Sequence, residues 1–360
     1  MKITIFSKFN MAGGSEFRCV ELCNGISKFT EHEAFLLSEK SLPQKLFDHI
    51  DKNVNVIENC FLSPEYLYQS DVIIVINTDS RDFSTLDYWI GKSASHSYSL
   101  DIEKMKNKKM FFLYNFIVSP SQHLNQFKEV GIDVGILTTN HKFFNEITKQ
   151  DRYESVKSLP RYILTSPIDP DKLNIFEREP KGKICFGMHS KKLGNKWNDE
   201  IEKLIKDINS RYTKEQVKFR FMGIKGDLKR KIEKIPNVTC LNEDEEGVKK
   251  FLSKLDVFLF FPDWKREEPW GRVVAEAMVS GCPVIALDRG GTQDQVLKYN
   301  NGFLCKRYND YYQHVVYFLE HREMISVMSR NSIRISKDFY AERVIERLIN
   351  ILGDNEDTYG

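Results

Sequence analysis

Two glutamates and a glycine carry the most chemical promise in this chain. Glu268 and Glu276 stand with seven residues between them, inside EEPWGRVVAEAMVSGCPVIALDRGGTQD, Glu267 to Asp294. Gly271 lies between them, at or near the start of a helix expected over Val273–Ser280. A helix start offers unpaired N–H groups and the positive end of the peptide dipole, which suits an anion such as a phosphate. Glycine there lets phosphate oxygens approach the backbone closely. A carboxylate accepts hydrogen bonds from both hydroxyls of a ribose or sugar ring. Eight helical steps of about 1.5 Å would separate the glutamates by roughly 12 Å, and further if the first part is extended. That span fits a carboxylate at each end of a nucleoside diphosphate sugar. The pair alone would equally suit an ordinary loop and an amphipathic helix. Pro269, Trp270, the run GCPVIALD and Gly290-Gly291 shift the balance toward a cradle for a phosphorylated, hydroxyl-rich ligand.

Positioning such a cradle takes a rigid frame. Strands are expected at Lys2–Ser7, Glu33–Leu37, Asn53–Ile57, Asp71–Ile76, Lys109–Tyr114, Asp133–Thr138 and Arg161–Leu164, with helical stretches between several of them. Ser15 is placed to cap a helix running to about Lys28. Continuous apolar runs such as Val72–Ile76 suit a parallel sheet covered on both faces. Around residues 167–182 the chain becomes Pro/Gly-rich and non-periodic, which reads as a linker. Alternation restarts with strands at Lys183–Phe186, Val217–Met222, Val238–Leu241, Asp256–Phe261 and Val284–Leu287. Helices are expected at Trp197–Ser210, Asp227–Ile235, Glu245–Lys254, Val273–Ser280 and from about Thr292. The expectation is an α/β protein of two Rossmann-like domains, 1–166 and 183–334, facing each other across a deep cleft. A C-terminal helix within 335–360 is a candidate to cross back to the first domain. Glu268 then falls in the loop at the carboxyl end of the strand Asp256–Phe261, where open parallel sheets bind their ligands.

Bulk composition narrows the partners. A chain of 360 residues with 41% hydrophobic and 29% charged content can bury full cores. Its 53 basic and 51 acidic residues nearly cancel, so nucleic acid is not indicated as a partner. Seven scattered cysteines read as reduced, buried thiols. No apolar stretch reaches the roughly 20 residues of a membrane helix. The chain is expected to be cytoplasmic, with peripheral contact at the inner face of a membrane left open.

The segment EPWGRVVAEAM…GCPVIALDRGGTQD resembles the carboxyl-terminal signature of the retaining GT-B glycosyltransferases of the group 1, family 4 class. Weaker likenesses extend over nearly the whole chain: Gly13-Gly14-Ser15-Glu16 to the family's N-terminal glycine loop, Ser166-Pro167-Ile168-Asp169 to its interdomain entry, and Phe186-Gly187-Met188-His189-Ser190 to the turn opening its second domain. The resemblance implies a transferase that moves a sugar from a nucleotide-diphosphate sugar to a hydroxyl of a glycan or lipid-linked glycan, commonly in bacterial surface-polysaccharide assembly. It implies that Glu276 binds the ribose and Glu268 contacts the donor sugar at the reacting face. Trp270, Gly271, Arg272 and Val273 would supply backbone amides to sugar and diphosphate. Asp294 stands where the family usually has Glu. Met188 stands where the family has an arginine; Lys196 matches its lysine, and Lys191 and Lys192 are substitutes for the missing cation. Gly13 and Gly14 would close over the donor phosphates.

No general base is evident. Asn115 stands where the family often has a histidine or an acid, so it becomes an acceptor-positioning candidate. Same-face attack assisted by the leaving phosphate needs no such base. No cofactor and no metal are expected, since Asp169-Pro170-Asp171 lies in the linker rather than at a strand end. His141 reads as a surface or capping residue rather than a catalyst, and His96, in a polar loop, reads as a surface residue rather than an acceptor contact. Trp264 suits either a sugar face or a hydrophobic plug. Two rival readings use the same frame: a nucleotide-sugar 2-epimerase and a non-catalytic sugar-nucleotide-binding subunit.

Overall fold

The structure is a computed structural model that describes residues 1–7, 14–38, 41–58, 65–76, 102–114, 123–129, 131–149, 156–191, 196–298 and 300–353. The chain divides into two units, Met1–Pro167 with Ala341–Gly360, and Ile168–Tyr340.

The first unit is built on a seven-stranded sheet of order β3-β2-β1-β4-β5-β6-β7. Its strands are β1 Lys2–Ser7, β2 Glu33–Ser38, β3 Asn55–Ile57, β4 Val72–Ile76, β5 Lys109–Tyr114, β6 Asp133–Thr138 and β7 Arg161–Ile163. All neighbouring pairs are parallel. Every residue of β4 is buried, as expected of a central strand covered on both faces. The helix Gly14–Phe29 follows β1. It packs tightly on Ala341–Leu352: a Cβ added at Gly25 would stand 2.6 Å from Ile345 Cγ1. The last helix thereby completes a core in which Cys19, Val20, Cys23, Val344, Ile345 and Leu348 are all buried. Arg18 is also buried; its guanidinium donates to the carbonyls of Leu164 and Thr165, tying the helix to the end of the unit's chain path.

The second unit has six parallel strands in the order β10-β9-β8-β11-β12-β13. They are β8 Ile184–His189, β9 Val217–Met222, β10 Val238–Leu241, β11 Val257–Phe260, β12 Val284–Leu287 and β13 Gly302–Cys305. The order reverses between β8 and β11, which opens a crevice beyond their carboxyl ends. The stretch expected as a linker joins this unit from Ile168 onward. Ile168 N–H donates to Phe339 O at 2.8 Å, so the unit's two chain ends are hydrogen-bonded together. Arg178 in that stretch is buried, donates to Ser280 O at 2.5 Å and to Ser253 O at 3.3 Å, and stacks on Phe176.

Strand β13 was not expected. Asn300-Asn301-Gly302 has the composition of a turn, yet Gly302 opens a strand. A Cβ at 302 would meet Val284 O at 1.9 Å, so glycine is there for close strand approach rather than for turning. The helix expected from Thr292 is a single turn, Thr292–Gln295. Longer helices follow at Tyr308–Glu320, Glu323–Ser336 and Ala341–Leu352. Among the described residues no helix is long and apolar enough to cross a membrane.

Candidate active site

Three loops converge at the crevice of the second unit: those after β8, β11 and β12. Asn198 fastens the first two. It is buried, its N–H donates to Phe261 O at 3.2 Å, and its Nδ2 donates to Pro262 O at 3.0 Å. The third is fastened through Glu268. Glu268 and Gly290 form a parallel bridge, and Gly291 N–H donates to Glu268 O at 2.8 Å. Gly290 has φ +70°, and a Cβ there would lie 2.4 Å from Glu268 O. A Cβ at Gly291 would lie 2.1 Å from Pro269 O. The Gly-Gly pair is thus what lets the β12 loop lie flat against the Glu268 backbone.

The Glu268 carboxylate receives two cations on one oxygen. Lys196 Nζ and Arg266 Nε each stand 2.7 Å from Oε2. All three side chains are largely buried, where such charge-assisted bonds are strong. Burial lowers the Lys196 pKa, and the Glu268 carboxylate opposes that. The second carboxylate oxygen, Oε1, is the natural acceptor left for a ligand hydroxyl.

Glu276 sits inside the helix Arg272–Val279 and is buried. Arg272, one turn earlier, donates Nε to Oε1 at 2.8 Å. His189, at the end of β8, brings Nε2 to 3.4 Å from Oε2 without making a hydrogen bond. Its ring meets Phe251 and Phe258 edge-on, with centroids 5.8 and 5.7 Å away. Burial is the main force pushing the His189 pKa down to about 4, so the ring is neutral near pH 7. Burial also raises the Glu276 carboxyl, while Arg272 pulls it back down.

The helix start differs in detail from the expectation. Gly271 N–H donates to Gln295 Oε1 at 3.2 Å, and Gln295 Nε2 donates back to Gly271 O at 3.0 Å. Arg272 N–H donates to Trp270 O, and those of Val274 and Ala275 to Gly271 O. Val273 N–H is the amide of this turn for which no acceptor is found among the described residues. Gly271's own amide is therefore engaged inside the protein; its small size, rather than its N–H, is what the site uses. A Cβ at 271 would come within 2.8 Å of Gln295 Oε1.

Met188 is the largest departure. It was expected in a turn beside the phosphates. The strand instead continues to His189, and Met188 is fully buried in the core. Adjacent strand residues point to opposite faces, so His189 and not Met188 is offered to Glu276. Trp270 is buried with its ring edge-on to Phe339 at 4.8 Å. Lys191 lies just past β8, where its carbonyl accepts from Trp197 Nε1 at 3.2 Å. Asp294 is half-buried on the turn Thr292–Gln295, with its N–H on Gly291 O. His141 opens the helix His141–Lys149, and Gly14 opens Gly14–Phe29, both in the first unit. Gly13, His96, Asn115 and Lys192 lie outside the described residues. His189, Arg266 and Gln295 join the candidate site through their contacts with Glu276, Glu268 and Gly271. The signal for Gln295 was its place just after Asp294, four residues past Gly291; His189 and Arg266 had no pattern to mark them. Among the described residues no group of three or more His, Cys, Asp or Glu side chains is arranged to hold a metal ion.

Residues 177–334 match the model of the family described as glycosyl transferases group 1. Over 122 residues the chain is 31% identical to a trehalose synthase of Thermococcus litoralis, a stretch that is 34% of this chain and 28% of that protein. The match thus spans well under half the length of that curated relative. A solved glycosyltransferase from Rickettsia africae ESF-5 superposes with a TM-score of 0.74 at 12% identity, covering 99% of each chain. Anabaena Alr3699/HepE in complex with UDP-glucose superposes with a TM-score of 0.68 at 15% identity, covering 98% of this chain and 100% of that one. Two parallel α/β sheets of seven and six strands, and a matched second unit, place a group 1 glycosyltransferase domain at residues 177–334 of a GT-B fold.

Proposed function

We propose that this chain is a retaining, metal-independent glycosyltransferase that takes a sugar from a nucleoside diphosphate donor. Its acceptor is a hydroxyl of a glycan or lipid-linked glycan, reached at or near a membrane surface, in the assembly of a bacterial surface polysaccharide. The observation that carries the reading is the pair of carboxylates, Glu276 buried and Glu268 largely so, at either end of one helix start. Each is oriented by cations and keeps an acceptor for a ligand hydroxyl: Glu268 by Lys196 and Arg266, Glu276 by Arg272. A structural relative bound to UDP-glucose supports the donor class.

In this reading Glu276 accepts from the ribose hydroxyls and Glu268 from a donor-sugar hydroxyl. The sugar C1–oxygen bond to the diphosphate breaks. The acceptor oxygen bonds to C1 on the same face, and its proton passes to the departing phosphate oxygen. Lys196, Arg266 and Arg272 hold positive charge where the diphosphate gains negative charge, the usual largest source of such catalysis.

The test is a thermal-shift and calorimetric screen of nucleoside diphosphates and their sugar conjugates. One of them should stabilise the protein, with affinity falling about 10- to 100-fold in Glu276→Gln, the loss expected of a charged hydrogen-bond acceptor. A screen in which none binds would sink the reading. An epimer appearing from donor alone, without transfer, would replace it with epimerisation.

A further inference from the structure

The second unit holds another cavity, of 660 Å³, to which none of the residues just assigned contributes. It lies beyond the carboxyl ends of β12 and β13. Leu287, Asp288 and Arg289 form one side; Lys306, Arg307 and Tyr308 form the other. Trp264, from the loop after β11, Glu200, just before the helix Ile201–Arg211, and Gln293 complete it. It is an open groove whose volume is within the roughly 300–1,000 Å³ of small-molecule sites.

The wall is built rather than incidental. Trp264 donates Nε1 to Glu200 Oε2 at 2.6 Å, and its carbonyl accepts from Arg289 Nη1 at 2.6 Å. Its ring meets Phe261 and Tyr311 edge-on, with centroids 5.2 and 5.8 Å away, so its orientation is fixed by packing. Tyr308 is held by its hydroxyl on Asp207 at 2.5 Å, and Lys203 Nζ stands 3.5 Å from its ring centre. Asp288 accepts from Gln293 Nε2 at 2.8 Å and faces Lys306 at 3.7 Å.

The chemistry of this wall selects among ligands. An anion would meet two carboxylates, Glu200 and Asp288. The wall's cations stand mostly in solvent, Lys306 80% and Arg307 77% exposed, and Arg289 bonds a carbonyl, so ion pairing there would contribute little. A purely apolar ligand would strand these groups without water. A neutral saccharide meets neither objection. Its hydroxyls both donate and accept, matching carboxylate, guanidinium and amide in alternation. Its C–H faces pack on aromatic rings, and two aromatic side chains line the cavity.

We infer that this cavity is a binding subsite for a neutral saccharide, separate from the donor crevice. Trp264 and Glu268 share one short loop, so a saccharide packed on Trp264 also bears on the loop that carries Arg266 and Glu268. The subsite suits the non-reacting residues of a glycan acceptor or product.

The test uses the full chain and a panel of glucose, galactose, N-acetylglucosamine, maltose and lactose, with inorganic phosphate as the anionic probe. Binding is read by saturation-transfer NMR and by tryptophan fluorescence. At least one saccharide should bind saturably, with Kd on the order of 1 mM. Binding should weaken about tenfold or more in Asp288→Asn and Arg307→Ala, whose side chains line the cavity. Trp264→Phe should keep the fold and lose the fluorescence response. No binding across the panel, binding indifferent to all three variants, or phosphate binding in place of saccharide would each overturn the inference. Thermal shift with UDP, read on the same variants, separates this outcome from the fate of the donor reading, because the variants leave Glu268 and Glu276 untouched.

Discussion

Replacing Gln295 with leucine tests how the donor crevice is held together. Gln295 is fully buried and bonds both polar groups of Gly271. Leucine has nearly the same volume, so no cavity term enters. The two bonds are not equivalent. Gly271 O keeps two other donors, Val274 and Ala275 N–H, each at 2.9 Å. Gly271 N–H loses its acceptor inside a buried turn. Leaving a buried donor unpaired costs about 1–3 kcal/mol, and the second bond adds a smaller amount. Gln295→Leu should therefore destabilise the second unit by about 2–3 kcal/mol. For a unit of this size that lowers its Tm by roughly 4–12 °C. Gly271→Ala breaks the same clamp from the other side, because its Cβ would stand 2.8 Å from Gln295 Oε1. The two changes together should cost clearly less than their sum. Urea unfolding followed by tryptophan fluorescence is the suitable assay, since Trp197, Trp264 and Trp270, three of the four tryptophans, belong to the second unit. A Gln295→Leu protein within about 0.5 kcal/mol of wild type, or strict additivity with Gly271→Ala, would refute the reasoning.

Three further outcomes follow from the same geometry. His189 has a folded pKa of about 4 against an ordinary 6.5, so the unfolded chain binds the proton first as pH falls. Stability from neutral His189 is then full above pH 6.5 and lost between 6.5 and about 4. Between pH 7 and 5 wild type should lose up to about 2 kcal/mol more than His189→Phe, measured by urea midpoints; equal losses would refute it. Glu276, with a raised pKa, acts in the opposite sense but is common to both proteins. Arg178→Met should destabilise the second unit by about 2–4 kcal/mol, because the buried Ser280 carbonyl and the part-buried Ser253 carbonyl lose a charged donor; an unchanged melting temperature would argue against the anchoring role. Gly290→Ala should cost about 1–3 kcal/mol, from its left-handed φ and its clash with Glu268 O, and should weaken donor binding more than Gly182→Ala, where a Cβ meets nothing within 4 Å.

Much of the frame was legible in sequence because buried parallel strands are written as apolar runs. Lys109–Tyr114, Asp133–Thr138, Val217–Met222 and Val284–Leu287 have the expected bounds. β13 was hidden because Asn301 and Gly302 read as a turn while serving, respectively, to bond Leu297 N–H and to admit the Val284 carbonyl. At the site, Glu268 and Glu276 were visible through their spacing. Lys196 was visible only by resemblance, though its nitrogen is bonded to Glu268. Arg266 was invisible, and His189 stood unassigned in the quoted run Phe186–Ser190, since nothing local says that a loop arginine reaches forward two residues to Glu268 or that a strand expected to end at Phe186 runs on to His189. Met188 was misplaced for that same reason: with the strand running past Phe186 to His189, it is a core-facing strand residue and not part of a turn.

The helix Ala341–Leu352 has a consequence for biosynthesis. Val344, Ile345, Leu348 and Leu352 complete the core that the helix Gly14–Phe29 begins. Burying four such side chains contributes roughly 6–12 kcal/mol, comparable to the whole stability of a domain. Emerging from the ribosome, the first unit therefore waits with an apolar face uncovered while residues 168–340 are made and fold. The second unit, its ends joined through Ile168 and Phe339, can close on its own before the first is finished. The order of folding is then the reverse of the order of synthesis, and a truncation at residue 340 should spare the second unit while leaving the first dependent on chaperones.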